Sequence, residues 1–151
     1  MKKFVFSLEN VLRYKKELLD MLKNEMAQLQ MKIRELEEEI TRVKREYSDL
    51  NRTLTLQMKT GVEPCGIAVY KRYFVELDRR TRMLESQRTA AQRAAAAKQE
   101  EIVHMKSDIS GLEKLKDSQL KDYEAQGRKE QELLVEEFVS RKKDASDCRT
   151  A

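Results

Sequence analysis

From Leu19 onward the apolar residues Leu22, Met26, Leu29, Ile33, Leu36, Ile40, Val43, Tyr47, Leu50 and Leu54 follow one another at alternating steps of three and four, without a break. An amphipathic helix on a globular surface repeats every 3.6 residues and drifts off such a seam. A strict 3.5-residue repeat sustained this long therefore requires a partner helix wound against it. Leu8, Val11 and Leu12 extend the same face upstream, and Ser7 or Asn10 is suited to cap it. The first helix is expected over roughly residues 7–58.

The rest of the chain has little with which to build anything but helix. It holds one Pro, four Gly and no Trp in 151 residues, with 38% charged and only 6% aromatic, so turns are few and elements long. The sole Pro and two of the Gly fall within Gly61-Val62-Glu63-Pro64-Cys65-Gly66, and the chain is expected to reverse over 59–66. Beyond it a second three-and-four seam runs through Ile67, Tyr70, Phe74, Leu77, Thr81, Leu84, Arg88, Ala91, Ala95, Lys98, Ile102, Met105, Ile109 and Leu112. The alanines of 90–97 either allow close helix approach or are a high-propensity stretch without a partner. After Leu112 the register is expected to change, because Leu115, Leu120, Tyr123, Leu134 and Phe138 leave the seam, through a stutter or for want of a partner.

These elements predict an all-α fold: a single coiled-coil domain over 1–151, built as a two-helix antiparallel coiled-coil hairpin with a longer, projecting C-terminal helix. Helix 2 is expected over about 67–143, with a frayed tail at 144–151. A reversal near Val62–Pro64 pairs residues whose numbers sum to roughly 125 and leaves about 25 residues of helix 2 past the N-terminus, some 35–40 Å at 1.5 Å per residue. That overhang carries Leu133, Leu134, Val135, Phe138 and Val139, more apolar surface than one helix normally shows to water. A partner, a homodimer or a frayed end each accounts for it.

Charge and chemistry narrow the function. The net charge of +4 equals the surplus of one segment, Tyr70–Arg93, which has seven basic residues against three acidic ones. It reads as a solvated helix face or as a docking surface for an acidic partner. Cys65 and Cys148 are lone thiols without metal-ligand spacing, and His104 is the only histidine. No triad, zinc site or phosphate-binding glycine loop can be assembled. An enzyme is not expected, nor any cofactor, metal or small-molecule substrate. The N-terminal apolar stretch is interrupted by Ser7 and ended by Glu9, too short for a signal sequence, and no run approaches the ~18 residues of a membrane span. A soluble, cytosolic chain is expected.

The N-terminal run Phe4-Val-Phe6-Ser-Leu8-Glu-Asn-Val11-Leu12-Arg-Tyr14-Lys15, the later Leu112-Glu-Lys-Leu115-Lys and Glu130-Gln131-Glu132, in this order along two long helices, resemble the flagellar export protein FliJ family over essentially the whole chain. The stretch Glu132-Leu-Leu-Val-Glu-Glu-Phe138 is more apolar than that pattern. The resemblance implies a noncatalytic component of the bacterial flagellar type III export apparatus. It implies a stalk-like coiled coil in the centre of the export ATPase hexamer that promotes its assembly and activity, links it to the membrane export gate and binds export chaperones. The chain would then be cytoplasmic, monomeric on its own, and peripheral at the inner membrane at the flagellar base. By position, the ring-binding residues are Phe4, Phe6, Leu8, Leu12, Tyr14, Leu133, Leu134, Glu137, Phe138 and Arg141, although the first group also reads as a hydrophobic staple of helix 1. The gate-binding residues are Tyr70, Tyr73, Phe74 and Leu77, of which all but Tyr73 also fit the internal seam; Arg79, Arg80 and Arg82 rim that end.

Two other classes compete. A self-associating structural coiled coil pairs the overhang with another copy. A basic-helix nucleic-acid binder uses Tyr70–Arg93, but its basic residues are mixed with acids and Arg88 falls on the seam.

Overall fold

The structure, a computed structural model, describes residues 2–149. It contains two helices, α1 over Glu9–Thr60 and α2 over Pro64–Asp147. They pack antiparallel as an all-α hairpin, with no strand among the described residues.

The helix ends follow from backbone hydrogen bonding. The Leu12 amide donates to the Leu8 carbonyl at 2.9 Å and the Glu9 amide to Phe6 at 3.1 Å. Leu8 is thus the half-in residue, and neither Ser7 nor Asn10 fills that place. Glu9 puts a carboxylate in the first turn, where it complements the helix dipole.

The reversal is only Gly61–Glu63, shorter than the 59–66 expected, because the breaker residues divide the work. Gly61 takes φ +99°, a backbone conformation open to glycine. Pro64 begins α2, where its missing N–H costs nothing and its fixed φ suits the first helical turn. The amides of Gly66 and Ile67 donate to the Glu63 carbonyl at 3.0 and 3.3 Å. A Cβ on Gly66 would lie 3.1 Å from Val62 Cγ1, so this glycine leaves room for the turn's one apolar side chain. At the other end α2 runs to Asp147, four residues past the expected 143; the last two residues of the expected tail lie outside the described ones.

The chain divides into two compact units. The unit spanning 19–104 holds the reversal and a core of Ile40, Val43, Leu77 and Leu84, with Leu36 and Leu50 packed against it. Val43 is 1% exposed. Every one of these lies on the two seams. Ala91 and Ala95 are buried, which decides the alanine stretch in favour of packing at those two positions. Salt bridges flank the seam: Arg80 to Glu39 at 2.8 Å, Lys44 to Glu85 at 3.6 Å and Lys98 to Glu25 at 2.6 Å. Hydrogen bonding to Glu25 raises the pKa of Lys98. Arg88 sits half-buried in the seam with its Nε buried and without a hydrogen-bond partner.

In the other unit, 2–18 with 105–149 among the described residues, the covered positions Leu112, Lys116, Leu120, Tyr123 and Gly127 include two successive steps of four, the stutter expected after Leu112, while Gln119 is half-buried as well and Gln126, where an unbroken seam would fall, is exposed. Leu115 is exposed, and Lys116 takes the covered place beside it. Lys116 turns its stem toward the seam and delivers its amine to Glu9.

Replacing Ile40 by Ala is expected to lower unfolding stability by about 2–4 kcal/mol in urea denaturation, and Leu115→Ala by no more than about 0.5 kcal/mol. Arg88→Met removes a buried unsatisfied donor and is expected to raise the thermal midpoint measured by circular dichroism.

Candidate docking surfaces

The N-terminal segment is a fastened one. Phe6 and Leu12 are buried, at 4% and 2% exposure, and Leu8 is half-buried. Phe4 stacks in a tilted arrangement on Tyr123, with ring centroids 5.5 Å apart. The Tyr123 hydroxyl donates to the Lys2 carbonyl. Ion pairs hold the same stretch: Glu9 to Lys116 at 2.7 Å, Lys15 to Asp108 at 3.0 Å and Lys16 to Glu113 at 3.0 Å. The Lys116 ammonium, 2.7 Å from Oε2 of Glu9, holds the Glu9 carboxyl below its ordinary range, helped by Arg13 and Lys16. Of the ring-binding residues expected here, Phe6 and Leu12 are therefore spent on internal packing. Tyr14 is the exposed one, at 61%.

Cover on α2 ends at Gly127. From Arg128 to Arg149 every residue is exposed. Leu133, Leu134, Val135 and Val139 are all open, and Phe138 is 71% exposed. Glu137 and Arg141 lie on the same uncovered stretch, spaced i,i+4 with the acid N-terminal, a favourable order on a helix. This helix needs no nucleation of its own, because it propagates from a turn already packed. Full burial of one such apolar side chain is worth about 1.5–3 kcal/mol, so covering several of these five would be strongly favourable.

Beside the reversal, within unit 19–104, the aromatic residues are tied. Tyr70 is half-buried and donates to Gln57 Oε1 at 2.7 Å. Phe74 meets Tyr47 edge-on, centroids 4.9 Å apart. Leu77 is buried in the core. Tyr73 is the open member, at 41%, and its hydroxyl donates to Glu46, which raises the phenol's pKa and keeps it protonated. Arg79 and Arg82 pair with Glu76 and Asp78 on their own helix, and Arg80 crosses to Glu39.

Two exposed residues went unnoticed in the sequence. Val69 and Val75 are more than 60% exposed. For Val75 the signal was the spacing of Ala68, Arg72, Val75 and Arg79, one helix face lying opposite the seam through Tyr70, Phe74 and Leu77, whereas Val69 lies off that face with Tyr70 and Tyr73. Among the described residues no group of His, Cys, Asp and Glu is placed to hold a metal ion, and no helix is long and apolar enough to cross a membrane.

Two long helices packed antiparallel, with an exposed apolar stretch past Gly127, define an all-α helical hairpin. A protein-family model described as Flagellar FliJ protein matches residues 4–143, and the chain belongs to that family of non-catalytic flagellar export components. No curated protein and no solved structure was found to match it.

Acid should loosen the N-terminal attachment. The folded pKa of Glu9 is depressed, so its contribution is present in full above the unfolded carboxylate value of about 4.3 and is lost as pH falls through the folded value. Carboxyl-carbon NMR titration is expected to place Glu9 below its ordinary value, and Lys116→Met to return it toward that value.

Proposed function

We propose that this chain is the coiled-coil stalk of the flagellar export apparatus, gripped at its 130–141 stretch by the centre of the export ATPase ring. In this role it promotes assembly and activity of the hexamer and links it to the cytoplasmic domain of the membrane export gate through the end of the hairpin near Tyr73. Export chaperones bind it as well. It works at the cytoplasmic face of the inner membrane, at the flagellar base, and motility and chemotaxis follow from the export it serves. The observation that carries this reading is the bare apolar stretch beyond Gly127 in a chain of the FliJ family. A partner that covers Leu134 and Phe138 gains burial without having to order a disordered segment.

Titration of the cognate export ATPase with full-length protein tests the ring contact. Wild type is expected to raise ATP turnover, and Leu134→Ser with Phe138→Ser to weaken binding at least tenfold with helicity intact. A wild-type protein that does not bind the ATPase sinks the proposal. At the other end, Tyr73→Ala is expected to weaken binding to the gate's cytoplasmic domain without lowering the unfolding midpoint. Leu77→Ala, which empties a core position, is expected to lower that midpoint.

A further inference from the structure

The two exposed apolar faces of α2 carry opposite charge. On the first, Leu134, Val135, Phe138 and Val139 share one side of the helix. At 100° per residue, Glu130 and Glu137 fall along one edge of that side and Glu132 and Glu136 along the other. Over residues 130–139 no basic residue occurs, and Arg128, Arg141 and Lys142 bound the stripe on the same side at its two ends. The stripe is an apolar strip between two acidic rails, the pattern of a coiled-coil seam whose flanking positions ask for basic partners.

The second face lies beside the reversal. Ala68, Arg72 and Val75 point away from the hairpin seam, and with Lys71 and Glu76 they line a shallow groove. From 68 to 83 there are five basic residues against two acidic ones. Three of the five are engaged: Arg79 with Glu76, Arg80 with Glu39 and Arg82 with Asp78. Lys71 and Arg72 make no ion pair among the described residues. Two cationic heads are therefore free, next to exposed Val69 and Val75.

From this complementarity we propose that the acidic apolar stripe of one copy, residues 130–139, docks on the basic outer face of a second copy, residues 68–79. The contact joins two different surfaces. Each joined pair keeps one free stripe and one free face, so association either extends head to tail or closes through two reciprocal stripe-to-face contacts. Two or three helical turns on each side bury less than the roughly 1,200 Å² of a standard stable interface, so the association is weak. Burial of Leu134 and Phe138 supplies the attraction. The charges select the register and make the contact salt-sensitive. Since the same stripe is the one assigned above to the ATPase ring, a copy held by another copy is withdrawn from the ring. The inference itself stands without that assignment, because its test contains only this chain.

Sedimentation velocity on the full-length protein, from micromolar to near-millimolar concentration, is the experiment. Wild type is expected to associate with rising concentration, to a dimer or beyond, and to revert to monomer in high salt. Two variants each disable one surface: Leu134→Ser with Phe138→Ser, and Lys71→Glu with Arg72→Glu. All four residues are exposed, and circular dichroism confirms that helicity is unchanged; Arg72→Ser serves in place of the second pair if it is not. Each variant alone is expected to stay monomeric, and the two mixed to give a one-to-one heterodimer, since each retains the surface that the other lacks. The proposal is overturned by a wild type that is monomeric throughout, by a disabled variant that still associates with itself, or by two disabled variants that fail to pair on mixing.

Discussion

The seam between the helices decides everything else in this chain. Apolar residues repeating at 3.5 can be buried only against a second helix, and the reversal at Gly61–Glu63 supplies that helix from the same chain. The two are unequal, 52 residues against 84. Since α1 starts at Glu9, its cover on α2 runs out near Lys116. The short segment before it extends that cover by a few residues, through Phe4 on Tyr123 and the Lys2 carbonyl. Past Gly127 nothing among the described residues lies over the helix. The open surface is thus a consequence of mismatched helix length, and its position follows from where α1 begins.

Much of this was written in the spacing. The expected pairing of residues whose numbers sum to roughly 125 is met closely by Glu9 with Lys116, and the segment before α1 continues it with the Lys2 carbonyl on Tyr123. The buried positions of α2 follow the second seam even where the residue is polar, as at Thr81 and Lys98, both half-buried. What escaped was chemistry that pattern does not encode. Pro64 and Gly66 look like breakers but sit inside the first turn of α2, because a helix start tolerates what a helix middle does not. Lys116 was passed over for Leu115, since a lysine stem counts as apolar only when its amine has somewhere to go.

The docking residues show the same division. Seam positions are spoken for by the partner helix, so Phe74 and Leu77 share in packing before they can serve a partner. Phe6 and Leu12 are lost to the outside in the same way, since the segment that bears them is fastened down. Resemblance alone does not separate these from Tyr14, Tyr73 and Phe138, which remain open; burial does. The converse error was to overlook Val75, which breaks no helical rule and emerges only when the face opposite the seam is read as a surface in its own right.

The two open regions of α2 differ in what a partner must overcome. Near the reversal, Tyr70 and Tyr73 already have hydrogen-bond partners in Gln57 and Glu46, and three of the arginines have carboxylates. A ligand there competes with bonds already made, and its net gain is small for each polar contact. Beyond Gly127 the side chains are apolar and uncovered. Covering them releases water and breaks nothing, and the backbone is helical before the partner arrives. A partner that covered 133–139 would therefore gain most of its affinity there, while one that met the basic face beside the reversal would gain mainly orientation and selectivity.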